Sequence, residues 1–516
     1  MLARTYCAAI NGLEAITVTV ETCFSRGLMF HLSGLPDNSV KESRDRITAA
    51  MENNGYFFPR GQEITINMAP ADLRKEGSSY DLPLAISILA ADGKVQCDEL
   101  DSIMMIGELG LDGHLQPVKG VLPIAMKAKS EGFKKLIAPK ANIREAAVVD
   151  GILVYGMLGL SDVVRFLNGE ATYESENIDT NKLFSEQQDK FEFDFAEVKG
   201  QENVKRAMEV AAAGGHNLIM IGPPGSGKSM MAKRLPSILP PLSLEESLET
   251  TQIHSVAGKL SKETSLIMQR PFRSPHHTIS HVALVGGGTN PQPGEISLAH
   301  NGVLFCDELP EFNRSVLEVL RQPLEDRKIT ISRTKYSVEF PCSFMFVASM
   351  NPCPCGYYGD RNHDCVCTPG QIMKYTNKIS GPLLDRIDIQ IEISALSFDE
   401  LAEVRPGEPS CEIRKRVVAA RAIQQERYKH VRNIHCNAQM TERLLHKYAE
   451  PDEASLQMLR MAMDKLKLSA RAYSRILKVS RTIADLESSE KVTSSHIAEA
   501  IGYRNLDRGD WAERRY

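Results

Sequence analysis

The sequence predicts an α/β protein with a parallel sheet at its centre, a mixed α/β domain before it and a helical domain after it. Three observations carry this reading. Short, almost wholly apolar runs at 217–221, 302–306 and 344–349 alternate with helical patterns, as the strands of a parallel sheet do. A glycine-rich turn at 222–229 joins the first run to a helix. From about residue 397 onward the pattern is helical almost throughout.

Along the chain, residues 15–21 alternate as a strand, 40–53 read as a helix, 63–68 as a second strand and 82–91 as a buried helix. The stretch NGEATYESENIDTNKLFSEQQDKFEFDF is rich in Glu, Asp, Asn and Gln and poor in aliphatics, so 169–196 is expected to be an acidic linker, ordered at its Phe-rich end. A helix over 201–213 follows, then the apolar run 217–221 and a helix from Lys228. The expected domains are 1–168, a linker 169–196, a sheet-containing core 197–396 and a helical domain 397–516.

The 516 residues suggest about three domains at roughly 150 residues each. With 42% apolar and 25% charged residues, the composition excludes a largely disordered or collagen-like chain. A net charge of −5 excludes a uniformly basic nucleic-acid coat, so any contact with DNA must come from a local patch. The longest near-apolar run, about 151–160, falls well short of the ~20 residues a spanning helix needs. With no signal-peptide pattern at the N-terminus, a cytoplasmic chain without membrane contact is expected. Eleven cysteines, four of them between 353 and 367, point to thiols and one metal site rather than to disulfides.

Residues 222–229 read GPPGSGKS, a complete G-x-x-x-x-G-K-[ST] loop between an apolar strand and a helix. Gly222, Gly225 and Gly227 permit close backbone approach, and with Pro223, Pro224 and Ser226 they form a cradle of N–H groups for phosphates. Lys228 supplies a positive charge to the β- and γ-phosphates, and Ser229 a hydroxyl to Mg²⁺. The cofactors expected are therefore ATP and Mg²⁺. The run GVLFCDEL ends a buried strand in two carboxylates, which are costly there unless a cation or a reacting water meets them. Asp307 is read as a Mg²⁺ ligand, directly or through water, and Glu308 as the residue that orients and polarises the attacking water. A third strand, FMFVASMN, ends at Asn351, whose amide can bridge the γ-phosphate and that water.

With these motifs in place the chain resembles AAA+ ATPases, and among them the magnesium-chelatase-like ATPases of the YifB/ComM (competence protein) family. The distinctive stretches are RSPHHTISHVALVGGGTNPQPGEISLAHNGVLFCDELPEF (273–312), SGPLLDRID (380–388) and LSARAYSRILKVSRTIADLE (468–487). The resemblance implies a central AAA+ P-loop core, a C-terminal helical lid domain and an ATP-dependent homo-hexamer. It implies that Arg386 is an arginine finger reaching a neighbouring subunit's ATP. It further implies that Arg471 is a second sensor, with Arg475 and Arg481 as nearby alternatives. Its function would be DNA translocation and branch migration in recombination and natural transformation. The partners would be single-stranded or branched DNA and recombination proteins.

Residues 74–91 and 107–132 resemble the proteolytic domain of Lon proteases, an S5-like α/β fold. Lon uses a Ser–Lys dyad. Ser79 falls at the nucleophile, whereas Leu122 stands where the lysine belongs, so a non-proteolytic domain is expected. Lys119 and Lys127 are the lysines that a shifted alignment would bring to the dyad.

Residues 276–288 resemble the family's helix-2 insert and suit an exposed loop. RKITISRTKYSVEF (327–340) alternates as a β-hairpin, on which Arg327, Lys328, Arg333 and Lys335 either contact a phosphate backbone or guard a sheet edge. The helix about 412–432 carries Arg414, Lys415, Arg416, Arg421, Arg427 and Lys429, read as a solvated face with DNA contact as the second reading. Cys353, Cys355, Cys365 and Cys367 form two C-x-C pairs that can hold structural Zn²⁺, with His363 as a substitute ligand and reduced thiols as the other reading. Two further functions stay open. One is a protein-remodelling ATPase like the magnesium-chelatase motor subunit; the other is an ATP-dependent protease.

Overall fold

A strand that periodicity did not single out opens the chain. β1 (Leu2–Asn11) runs antiparallel to β2 (Glu14–Arg26), in register from Leu2 opposite Cys23 to Asn11 opposite Glu14. The computed structural model describes residues 2–59, 61–180, 191–261, 263–288, 291–333, 336–360, 363–394, 407–432, 434–466 and 468–504. These form two compact units: Met1–Gln187 with Leu244–Met268, and Gln188–Ser243 with Gln269–Tyr516.

In the first unit, β3 (Phe30–Ser33), α1 (Asn38–Asn53), β4 (Gln62–Ala69), α2 (Asp81–Ala91), β5 (Ile103–Met105), α3 (Val121–Ser130), β6 (Lys135–Pro139) and β7 (Leu153–Met157) follow. The seven strands lie in the order β3-β4-β2-β1-β5-β6-β7. Strand alternation sends Cys7 and Ala9 to one face, with α1 and α2, and Ala8 to the other, with α3. α2 is buried along nearly its whole length. Its first residue, Asp81, is also buried, and Arg46 grips it with two hydrogen bonds of 2.7 and 2.9 Å.

The acidic stretch is ordered on both sides of 181–190, which lie outside the described residues. Phe195 is fully buried, while Phe193 and Phe191 stack under the guanidinium groups of Arg234 and Arg414 at 5.5 and 5.0 Å.

The second unit begins with α4 (Glu202–Gly214), β8 (Leu218–Ile221) and α5 (Lys228–Arg234). The chain then returns to the first unit for residues 244–268, which the sequence reading places within the 197–396 core. There α6 (Leu244–Val256) packs on α3, and Leu266 and Met268 complete the apolar cluster that holds Leu122, Ile124 and Leu136. The Gln252 side chain donates to the Leu13 carbonyl at 2.6 Å, and Ser255 to Glu145 at 2.5 Å. The reason is packing: that face of the first unit is apolar and this segment fills it.

Back in the second unit come β9 (Phe272–Arg273), β10 (Val303–Cys306), β11 (Lys328–Arg333), β12 (Tyr336–Pro341), β13 (Met345–Met350), β14 (Ile389–Glu392), α7 (Ser410–Tyr428), α8 (Ala470–Leu486) and α9 (Ser494–Gly502). The order β9-β10-β13-β8-β14 is parallel throughout. Strands β8, β10 and β13, the three apolar runs of the sequence, are completely buried and need helices on both faces. The predicted C-terminal helices are present, and α7, α8 and α9 share one apolar core with α4 and the sheet. Among the described residues, no helix is long and apolar enough to cross a membrane.

Candidate nucleotide site

Strands β8, β10 and β13 are neighbours in the parallel sheet, so their C-terminal ends converge. A parallel sheet places ligands at that edge. The loop after β8 needs its glycines. Gly225 and Gly227 adopt φ values of +76° and +86°, and a Cβ on Gly222 would lie 2.4 Å from the Ile393 carbonyl oxygen.

Lys228 opens α5 and is nearly buried. Its Nζ donates to the carbonyls of Gly222 and Pro223, both at 2.8 Å, and to Asn351 Oδ1 at 3.2 Å. Burial lowers its pKa to about 8, against the pull of Asp307 and Glu308. Ser229 donates to Asp307 Oδ2 at 2.6 Å. The other oxygen of Asp307 accepts from Ser349 and from the Glu308 amide, the latter at 3.1 Å. A hydroxyl and a carboxylate side by side, with a lysine and an amide opposite, form a donor set suited to Mg²⁺ and a polyphosphate.

Glu308 stands at φ +53°, ψ +49°, a left-handed conformation that a side chain rarely adopts. Such strain persists where the surroundings over-determine it, and here it turns the carboxylate out of the sheet. The Glu308 side chain is 57% exposed and meets His277 Nδ1 at 3.7 Å. His277 lies against the His276 ring and edge-on to Phe312. Sequence reasoning placed the 276–288 histidines in an exposed loop and missed this contact. Ser349 was missed as well, because a serine inside a buried strand looks like filler until Asp307 is found beside it.

The structure therefore brings together Lys228, Ser229, Asp307, Glu308 and Asn351. It places the two arginines elsewhere. Arg386 is buried, with Nη2 2.6 Å from Glu325 and Nη1 donating to the Pro382 carbonyl at 2.6 Å. Arg471 is exposed and meets Asp385 at 3.3 Å. No contact among the described residues joins either to Lys228, Asp307 or Glu308. Between them lies a buried polar node that the spacing did not reveal. Asp388 accepts from the Asn217 amide at 3.0 Å, pairs with Arg475 of α8 and lies 3.4 Å from His216 Nδ1. Burial alone would raise the Asp388 carboxyl, but Arg475 and His216 outweigh it and hold it well below the usual carboxylate range. His216 also meets Thr482 of α8 at 2.8 Å, so the node clasps that helix to the sheet.

The predicted hairpin is present as β11 and β12, with Ile329, Ile331, Val338 and Phe340 buried. Ile331 packs so closely on Gly286 that a Cβ there would lie 2.9 Å from it. Of the four cations, Lys328 pairs with Glu339 at 3.0 Å and Arg327 donates to Ser343 at 3.1 Å. Arg333 ends β11, and Lys335 lies outside the described residues.

The basic helix α7 is not a plain solvated face. Arg427 makes two hydrogen bonds to Asp485, of 2.7 and 2.5 Å; Arg416 holds Glu209 and Glu408; and Arg414 and Arg421 donate to the carbonyls of Leu239 and Ala212. These arginines are used within the fold, whereas Lys415 and Lys429 stand exposed and pair with Glu412 and Glu426 on the helix's own surface.

The Sγ atoms of Cys353, Cys355, Cys365 and Cys367 all lie within 4.8 Å of one another, a grouping compatible with a zinc site. His363 is not in the group; it stacks on Tyr357 and lies 3.3 Å from Asp360. In the first unit, Leu122 is fully buried in the apolar core. Lys127 pairs with Glu131, and Lys119 lines a cavity of about 280 Å³ together with Val118, Asn142, Arg144, Glu145 and Ser255. Among the described residues no lysine is hydrogen-bonded to Ser79.

Residues 194–401 match the family described as "Magnesium chelatase, subunit ChlI", residues 20–142 "Subunit ChlI of Mg-chelatase", and residues 407–504 "Magnesium chelatase, subunit ChlI C-terminal". The chain is 44% identical over 511 residues to the competence protein ComM of Haemophilus influenzae, covering 98% of each chain. It is 43% identical over 503 residues to the protein YifB of Escherichia coli, covering 97% of this chain and 96% of that one. A shorter similarity, 31% over 159 residues and 28% of this chain, links it to Lon protease 2 of Bacillus subtilis, 27% of which is covered.

Proposed function

The chain belongs to the magnesium-chelatase-like AAA+ family that includes ComM and YifB, and on that premise we propose that it is a ring-forming motor that couples ATP hydrolysis to movement along DNA, driving branch migration in recombination and natural transformation. The observation that carries the ATPase part is the convergence of Lys228, Ser229, Asp307, Glu308 and Asn351 at the edge of one parallel sheet.

Lys228 hands its hydrogen bonds from the loop carbonyls to the β- and γ-phosphates. Ser229 and Asp307, side by side, would hold Mg²⁺, which when bound would supply positive charge against the negative charge that develops in phosphoryl transfer. Glu308 accepts a proton from the attacking water, and Asn351 orients that water against the γ-phosphate. Arg386, released from Glu325, serves the neighbouring subunit of a homo-hexamer, and Arg471 senses the γ-phosphate from the helical domain. The buried Asp388 node positions both, lying two residues beyond Arg386 and held by Arg475, one turn beyond Arg471. The four cysteines are read as a structural metal site.

The DNA part rests on full-length similarity to a protein named for competence and on the β11–β12 hairpin, whose cations would line the ring's channel. The test is ATP hydrolysis and strand exchange on branched DNA, comparing wild type with Glu308→Gln. Hydrolysis stimulated by DNA in the wild type, and a variant that binds ATP and DNA without turnover, is the expected result. Wild-type protein that neither binds nor unwinds branched DNA removes the DNA reading.

A second reading, remodelling of a protein client, is favoured by the family descriptions, which name magnesium chelatase over three parts of the chain. Recovery of a specific protein client whose conformation changes with ATP would establish it. Proteolysis has the least support: Leu122 occupies the dyad position in the apolar core, and Ser79 without a base is a weak nucleophile.

A further inference from the structure

The loop between β13 and the helix at Pro369–Thr376 presents a physical problem. Its described residues, from Asn351 to Thr368, contain no helix or strand, and most of those after Cys353 are at least partly exposed. A segment of that length cannot order itself by apolar burial, because fixing each residue's backbone costs about 1–2 kcal/mol. Yet the loop sits against the nucleotide site. Cys353 lies two residues beyond Asn351 and is fully buried. Gly356, at φ +90°, approaches the phosphate loop so closely that a Cβ there would lie 2.6 Å from Pro224 Cδ.

The sulfur geometry supplies the missing restraint. The Sγ–Sγ distances are 3.3 Å for Cys353–Cys355, 3.7 Å for Cys353–Cys365 and 3.6 Å for Cys355–Cys365. A tetrahedron with Zn–S bonds of about 2.3 Å has edges of about 3.8 Å. The cage thus has the size for one metal atom. An iron–sulfur cluster would hold its four thiolates farther apart, because several atoms lie between them. The Tyr358 amide donates to Cys353 Sγ at 3.3 Å, the outer-shell contact that steadies a thiolate ligand. Four protein ligands leave no open position, so the metal is structural.

We infer that Cys353, Cys355, Cys365 and Cys367 hold a single Zn²⁺ that props the phosphate loop through Gly356 and Pro224, so that zinc occupancy sets nucleotide affinity. This inference rests on the reading of 222–229 as an ATP site. Zinc bonds replace the apolar contacts the loop lacks, and the clamped loop in turn holds Asn351 and Pro224 in place. Loss of the metal frees the loop and lets the phosphate cradle relax.

The experiment uses the full chain. Elemental analysis of protein purified without added metal is expected to give one zinc per chain. Exchange for Co²⁺ should give the thiolate charge-transfer and d–d bands of a tetrahedral tetrathiolate. Cys365→Ser should lose the metal and weaken binding of a fluorescent ATP analogue on the order of tenfold. Cys411→Ser, at an exposed cysteine outside the cage, should change neither. Gly356→Ala keeps all four thiols but pushes the loop off Pro224. It should retain zinc and still lose nucleotide affinity, which separates propping from misfolding. Wild-type protein without stoichiometric metal and without cobalt bands overturns the zinc site. Unchanged nucleotide affinity in a metal-free Cys365→Ser, or in a zinc-loaded Gly356→Ala, overturns the coupling. Wild-type protein that holds zinc but binds no nucleotide overturns the ATP-site reading instead and with it the coupling, while leaving the cage standing.

Discussion

Glu308 combines three features that few residues share: a strand-end position, a left-handed backbone and an exposed carboxylate. A group so placed is free to meet a ligand, and on the proposed reading it is the base for the water that attacks the γ-phosphate. Glu308→Gln keeps the shape and removes the base. Single-turnover hydrolysis should fall by roughly 10²–10⁴-fold while nucleotide affinity holds, as measured by rapid quench alongside equilibrium binding. Lys228 yields a separate expectation. Burial has brought its pKa down to about 8, and bound phosphates, being anionic, push it back up. ATP binding at pH 8 should therefore take up about half a proton per site, and almost none at pH 6.5. Calorimetry in buffers of different ionisation enthalpy reads this number directly, and Lys228→Met should abolish the uptake. Both residues were singled out in the sequence, because each sits in a short contiguous run with recognisable spacing. Ser349 and His277 were not, since each becomes meaningful only beside a residue far along the chain.

At the scale of elements, the three buried strands and the hairpin follow from periodicity alone, whereas the use of their charges does not. Helix α7 reads as a basic face, yet Arg427 and Arg481 converge on Asp485 inside the helical core, and Asn437 donates to the same carboxylate at 2.8 Å. Asp485→Ala would leave two guanidinium groups buried without a counter-charge. It should cost about 3–5 kcal/mol, seen as a lowered denaturation midpoint of the second unit. On the hairpin, Lys328 is shared with Glu339 across the strands at an exposed position. A surface pair of this kind is worth at most about 1 kcal/mol, so a phosphate can compete for the lysine. If the hairpin binds single-stranded DNA, Lys328→Ala should flatten the slope of log affinity against log salt by about 0.7 for each phosphate that the lysine neutralises. An unchanged slope assigns Lys328 to the edge of the hairpin and not to DNA.

For the whole molecule, sequence order and spatial grouping part company at Leu244–Met268. This segment follows the phosphate-loop helix in the chain but belongs to the first unit, where Leu266 and Met268 close its apolar cluster. Leu266→Ala in the full chain should cost about 2–5 kcal/mol. Hydrogen exchange would locate the loss: faster exchange in α3 and its neighbours, with β8, β10 and β13 unchanged. The reverse pattern would place the segment with the second unit.

What the sequence alone determined is the chemistry that sits in contiguous runs. The glycine loop with its lysine, the paired acids at a strand end, the two C-x-C pairs and the alternating hairpin each need particular residue types at fixed spacing, so spacing reveals them. What the tertiary structure decided is which charges are already used and which segment belongs to which core. Arg386 on Glu325, Arg475 on Asp388, the arginines of α7 within their own unit and residues 244–268 on α3 are pairings between positions tens to hundreds of residues apart. Charge attraction and apolar burial act through space without regard to sequence separation, and only the folded chain brings the partners together.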